Sequence, residues 1–306
     1  MALQIDTPYL LESYECPDQV VLGADAIIIR GTGPEPRHNP TFASGADYVD
    51  ITAQENDVFI YSYHKTIKSV PLRNRAAIIE FLGSLQGTVF IDITALSHHV
   101  WAPILRTCIG QMRTTRALYI QPQGYVRTPR GQDGEIFDLS ERISGVAAIP
   151  GFVSLADDFE DRTCFVPMLG FEGKRTAYIL EHVQPMGNSI FPIIGLPGFR
   201  MEFPFYTFEC NSRILLETQA WKNVRYAAAH NPFSAYDTLA DIHSANGGSL
   251  LKIAPIGTKP HALGAFLYSL RSGRTVEFVY DFPIRRANRT TGVGKAFVYK
   301  ISEFMT

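Results

Sequence analysis

Short apolar runs recur along the chain, separated by turns rich in Gly, Pro and Asp. Ala24 to Arg30 (ADAIIIR) reads as a buried strand and runs into Gly31-Thr32-Gly33-Pro34, a loop by composition. Asp57 to His64 (DVFIYSYH), Thr88 to Ile93 (TVFIDI) and Ala117 to Gln121 (ALYIQ) predict three further strands. Leu72 to Leu85 and His99 to Ile109 carry apolar residues at helical spacing and predict helices. Gly124 to Arg142 is polar and turn-rich, an expected loop or irregular hairpin.

The rhythm then resumes. Cys164 to Leu169 predicts a strand, Gly170-Phe171-Glu172-Gly173 a turn and Lys174 to Val183 a helix. Ser189 to Ile194 and Asn223 to His230 predict strands, with helices over Ser212 to Ala220 and Ser234 to His243. Leu250 to Ala254 is an apolar strand that turns through Gly257-Thr258-Lys259-Pro260 into a helix, His261 to Leu270. Thr275 to Asp281 and Lys295 to Ile301 close the half as strands. Strands alternating with helices predict an α/β fold of two Rossmann-like units with mostly parallel sheets covered on both faces. The expected division is residues 1–150 and 151–306, the second unit carrying the Gly-Thr-Lys-Pro turn.

The halves also match segment by segment. DVFIYSYH, ending at His64, resembles NVRYAAAH, ending at His230. IDITALSHHVWAPIL lies against IAPIGTKPHALGAFL, which pairs Asp92 with Ala254, Ala95 with Gly257 and His99 with His261. ALYIQPQGYVR resembles EFVYDFPIRR. An internal duplication and a chance likeness between two Rossmann-like units both fit these matches.

Composition narrows the function classes. Lys+Arg number 28 and Asp+Glu 30, a net charge of −2, which gives no global pull toward nucleic acid or a membrane. No apolar run approaches the ~18 residues of a membrane span, and the N-terminal stretch MALQIDTPYLLESYE is acidic where a signal peptide is basic. The four cysteines, Cys16, Cys108, Cys164 and Cys210, form no CxxC pair and read as free thiols of a cytoplasmic protein. The sequence implies no cofactor and no metal.

Candidate chemistry centres on the turn at Gly257. A strand end that opens a helix offers backbone N–H groups and a positive dipole end to an anion, and Thr258 and Lys259 add a hydroxyl and a charge. Lys259 is the expected phosphate clamp; the G-x-x-x-x-G-K-[ST] pattern of a P-loop is absent. Gly170 and Gly173 permit close backbone approach, and Glu172 between them is a candidate base or ribose partner. Gly195-Leu196-Pro197-Gly198 is a second such turn. His64 and His230, at strand ends, and His261 are candidate ligand contacts, because imidazole donates, accepts or shuttles a proton near neutrality. Asp92 and Thr94 are the first-half candidates. Asp281 precedes Arg285, Arg286 and Arg289, a basic loop for which solvation is favoured over nucleic-acid binding. Asp157, Asp158, Glu160 and Asp161 read as a solvated linker.

Gly257-Thr258-Lys259, followed by Pro260 and His261, resembles the G-T-K-x-M turn of CARF domains, Rossmann-like sensors of cyclic oligonucleotides in prokaryotic antiviral defence. SAVED domains are fused pairs of such units. Ile256 stands where the family commonly has a second Gly, and His261 where it commonly has Met. Asp92-Ile93-Thr94 is similar to the D-x-T that often precedes the family's turn, but Leu96 and Ser97 replace its Thr-Lys. The resemblance implies that Gly257, Thr258 and Lys259 contact a nucleotide-derived ligand. It further implies a sensor in the cytoplasm, away from membranes, that acts through a separate effector protein or through its own oligomer. A metal-independent phosphodiesterase or nucleotide hydrolase, with His230 and Glu172 moving protons, is the alternative. A scaffold subunit with a vestigial pocket is the third reading.

Overall fold

A computed structural model describes residues 10–42, 45–128, 136–153 and 163–306. The acidic run at Asp157 to Asp161 and residues 1–9 lie outside the described residues. In chain order the first elements are β1 (Leu11–Tyr14), β2 (Ala26–Gly31), β3 (Asp47–Gln54), β4 (Val58–Tyr63), β5 (Thr66–Pro71) and α1 (Arg75–Gly83). Next come β6 (Thr88–Asp92), α2 (His98–Gly110), β7 (Thr115–Ile120), β8 (Gly124–Tyr125) and β9 (Ser140–Ile143). The middle of the chain forms β10 (Thr163–Met168), α3 (Gly173–Val183), β11 (Ile193–Gly195), α4 (Phe203–Glu217), β12 (Arg225–Ala227) and α5 (Pro232–Ala245). The remainder comprises β13 (Leu250–Pro255), α6 (Lys259–Ser272), β14 (Val276–Phe278), β15 (Pro283–Arg285), β16 (Thr290–Thr291), β17 (Ala296–Lys300) and α7 (Ile301–Met305). The protein is therefore a mixed α/β fold, as the alternating pattern predicts.

The chain forms two compact units, Met1–Gly124 with Thr290–Thr306, and Tyr125–Arg289. An even cut at 150/151 misses this division because the chain returns. Lys295 to Ile301, expected to close the second half, lies in the first unit as β17, antiparallel to both β1 and β7. Its apolar run (Phe297, Val298 and Tyr299 are buried) marks a strand covered on both faces but not its sheet.

The first unit is built on an eight-stranded sheet in the order β1-β17-β7-β6-β2-β3-β4-β5. Only the centre is parallel: β7, β6, β2 and β3 run together. The margins are antiparallel. DVFIYSYH forms β4, the middle strand of a β3-β4-β5 meander, so its direction opposes that of a Rossmann strand. His64 and Lys65 form the β4–β5 hairpin turn, both at positive φ (45° and 64°). Helix α2 is apolar nearly all round, and Val100, Trp101, Ala102, Ile104 and Leu105 are all buried.

The second unit carries a five-stranded sheet in the order β12-β11-β10-β13-β14, every pair parallel. Its central strands, TCFVPM and LLKIAP, are near-continuous apolar runs, the pattern of strands buried on both faces. Four helices, α3 to α6, make the crossovers.

The two sheets share a topological kernel. β3-β2-β6-β7 in the first unit corresponds to β11-β10-β13-β14 in the second. The matched segments IDITALSHHVW and IAPIGTKPHALG thus fall on equivalent strand–turn–helix pieces, β6–α2 and β13–α6. The matched segments DVFIYSYH and NVRYAAAH do not: β4 belongs to an antiparallel meander, whereas β12 is a parallel edge strand.

Candidate functional site

The second unit gathers the most chemistry at the carboxyl ends of β10, β11, β12 and β13. The chain enters α3, α4, α5 and α6 from this edge, so four helix N-termini and their positive dipole ends lie there. In an open parallel sheet this edge is where ligands bind.

The turn after β13 is fixed from several sides. Thr258 is the N-cap of α6: its Oγ1 accepts from the His261 N–H at 3.3 Å and donates to the Ala229 carbonyl at 2.9 Å. The second bond ties the start of α6 to the turn that follows β12. Lys259 and Pro260 occupy the first helical positions, where proline's missing N–H costs nothing. Lys259 is half-buried.

Two glycines set the backbone here. A Cβ on Gly257 would lie 2.5 Å from the Leu169 carbonyl oxygen and 3.1 Å from that of Met168. One on Gly170 would lie 3.1 Å from the Ile256 oxygen and 3.2 Å from the Gly257 Cα. The turns after β10 and β13 therefore press backbone to backbone. Gly195 plays a related part, since a Cβ there would meet Ala229 Cβ at 2.9 Å and stand 3.7 Å from His261 Cε1. The Gly195–Gly198 turn is held to the end of β12 by Leu196 N–H to Ala227 O and Ala229 N–H to Pro197 O, at 2.8 and 2.9 Å. Gly173 differs: its missing Cβ makes room for the Cys210 carbonyl, so it packs α3 against α4 and does not face a ligand.

His261 is buried beneath the turn, with 1% exposed. Its Nε2 lies 3.2 Å from the carbonyl oxygens of both Ala227 and Ala228, which requires Nε2 to carry the proton and donate. Burial pushes its pKa down to about 4; the two carbonyls oppose that shift and His230 adds to it. The ring is therefore neutral, and its buried Nδ1, an acceptor in that tautomer, has no hydrogen-bond partner among the described residues. His230 is half-buried, its ring centroid 6.5 Å from that of Phe199. Asn231 caps α5, accepting from Phe233 N–H and Ser234 N–H at 2.9 and 3.3 Å.

Glu172 is not an isolated base. Its Oε2 accepts from Arg175 Nη1 at 3.2 Å. Arg175 in turn makes a two-pronged pair with Asp281, through Nε and Nη2, each at 2.7 Å. Asp281 is fully buried and Arg175 nearly so. Burial alone would favour loss of the arginine proton, but the hydrogen bonds and charge of Asp281, with Glu172, outweigh it and raise the pKa. This buried pair ties the first turn of α3 to the segment after β14. Only the Glu172-to-Arg175 spacing of one helical turn hints at it in the sequence.

The equivalent edge of the first unit is filled. Ala95 and Leu96 stand where Gly257 and Thr258 stand in the second unit, and a Cβ on Gly31 would lie 3.1 Å from side-chain atoms of both. Asp92 accepts from Thr94 N–H at 2.8 Å, and Thr94 Oγ1 accepts from Ile120 N–H at 2.9 Å. Both side chains are buried and close the ends of β6 and β7. His64 sits on the exposed hairpin, its Nε2 3.7 Å from Asp47 Oδ2. Gly170, Gly195, His230, Gly257, Thr258, Lys259 and His261 are thus brought to one edge of one unit, whereas Asp92, Thr94 and His64 belong to the other unit.

Two grooves of about 580 and 590 Å³ open at the opposite, amino edge of the second sheet, both bordered by Gln184, Pro185 and Asn188. Neither touches the residues above. Helices α3 to α6 begin at the other edge, so the grooves lack the positive dipole ends that would attract an anion. Among the described residues no helix is long and apolar enough to cross a membrane. No protein-family model and no curated protein matches the chain.

Proposed function

We propose that the second unit binds a phosphate-bearing, nucleotide-derived ligand, with a cyclic oligonucleotide as the first class to try, and that the protein acts as a sensor. The observation that carries the reading is the Gly257-Thr258-Lys259 turn. It opens a helix at the carboxyl edge of a parallel sheet, its backbone is fixed by Gly170 and Thr258, and Lys259 stands at its first helical position. A helix start of this kind favours an anion through its dipole and the positive charge of Lys259. The likeness of this turn to that of CARF domains supports the oligonucleotide class. It also supports a cytoplasmic, prokaryotic antiviral setting with a separate effector or a self-assembled oligomer as output.

Sensing is favoured over hydrolysis because two of the acid–base groups at this edge, Glu172 and His261, are already engaged. Glu172 is paired with Arg175, and His261 is a neutral ring whose one N–H is taken by backbone carbonyls. Incubation of the protein with a panel of cyclic oligonucleotides, followed by product analysis, tests this. Tight binding with intact ligand is the expected result. Turnover that His230→Ala abolishes would replace the sensor with a phosphodiesterase.

A further inference from the structure

A cluster of five aromatic rings adjoins the turn after β10. Phe171, the residue after Gly170, stacks on Phe137 (centroids 4.7 Å apart, planes at 23°). It meets Phe203 and Tyr125 edge-on at 5.2 and 5.3 Å, and Tyr206 at 6.4 Å. The cluster has a closed back and a partly open front. Phe137 and Phe203 are buried, whereas Tyr125, Phe171 and Tyr206 are only half-buried. Arg127, itself exposed, lies over the Tyr206 ring at 4.8 Å and hydrogen-bonds its hydroxyl.

We infer that this shelf seats a nucleobase of the ligand whose phosphate lies at Gly257-Thr258-Lys259; the inference rests on that phosphate reading. Three features point to a planar heteroaromatic ring in preference to a hydrocarbon. The half-open members are all aromatic, and π-faces stack on any base. Two of them end in hydroxyls, and the Arg127 guanidinium lies over the Tyr206 ring; such polar groups suit the edge of a base and are wasted on an alkyl chain. The shelf also starts one residue from Gly170, whose backbone lies against Gly257, so base and phosphate seats are neighbours.

The test compares adenosine 5′-monophosphate with ribose 5-phosphate by calorimetry. The base should improve affinity by about tenfold, a typical stacking gain. Tyr206→Leu should remove that advantage and leave ribose 5-phosphate binding unchanged, while Tyr206→Phe should retain it. Arg127→Ala, on the surface, should reduce the advantage without affecting folding, which covers the case of a poorly folded Tyr206→Leu. If wild type binds both probes equally, or the advantage survives Tyr206→Leu and Phe171→Leu, the shelf is overturned while the phosphate site stands. If neither probe binds, the phosphate reading fails and the shelf falls with it.

Discussion

Gly170 and Gly257 lie back to back: the position of a Gly170 Cβ is 3.2 Å from the Gly257 Cα, and that of a Gly257 Cβ is 2.5 Å from the oxygen of Leu169, the residue before Gly170. Neither strand end can gain a side chain without moving the other. Gly257→Ala should destabilise the second unit by about 1–3 kcal/mol, the usual cost of overpacking against atoms that cannot turn aside. The same change should also displace the phosphate turn. Denaturant unfolding and ligand titration on one preparation check both effects. Gly170→Ala, with its looser 3.1–3.2 Å contacts, should do less of each.

The Arg175–Asp281 pair is predicted to stabilise the fold and not to take part in chemistry. Arg175→Met leaves a buried carboxylate with its partner removed, a change that typically costs about 3–5 kcal/mol. The double variant Arg175→Met, Asp281→Leu removes both charges and should recover most of that loss. Glu172→Gln should leave ligand affinity within about twofold, since the carboxylate is already paired with Arg175. A Glu172→Gln variant that binds normally but loses turnover would revive the enzyme reading.

Acid should weaken the second unit through His261. Its pKa is about 4 in the folded chain against an ordinary 6.5, so the unfolded chain binds the extra proton first. Stability is therefore full above about pH 6.5, falls as the pH drops toward 4, and levels off below. The depression corresponds to roughly 3 kcal/mol at ~1.4 kcal/mol per pH unit. His261→Gln, which keeps a donor for the Ala227 and Ala228 carbonyls, should flatten the pH dependence of unfolding between 4 and 6.5. An unchanged slope would mean that the ring titrates normally and is not held neutral by burial.

In the first unit, Thr94→Val leaves the buried Ile120 N–H without its acceptor. It should cost about 1–3 kcal/mol. Ligand binding should be untouched, because the equivalent edge is filled by Ala95 and Leu96. Calorimetry on this variant checks the binding, and denaturant unfolding checks the loss of stability.

What could be read from the sequence followed the physics of each segment. The parallel strands β2, β6, β10 and β13 are short apolar runs between turn residues, and the helices between them show their spacing, so the α/β class was legible. Strand direction was not: β4 has the same composition as a parallel strand. The hairpin turn that reverses it uses His64 and Lys65 at positive φ, in place of the Gly or Asn that would have announced it. Edge strand β5 leaves no such trace, because its exposed residues, Thr66, Ile67, Lys68 and Ser69, hide the apolar pattern. The return of β17 depends on a long-range pairing that no local signal encodes. At the candidate site, Gly257, Thr258 and Lys259 were legible because turn chemistry is local. Phe171, Tyr125 and Tyr206 were not, since their rings meet only once the chain has folded.

Lys259 and its turn are proposed to hold a phosphate. Titration of wild type and Lys259→Ala with the panel of cyclic oligonucleotides, at fixed low salt, is the decisive measurement. Wild type should bind saturably and Lys259→Ala about tenfold or more weakly, the size of a charge-assisted hydrogen bond. Equal affinity in the two proteins would contradict the proposal.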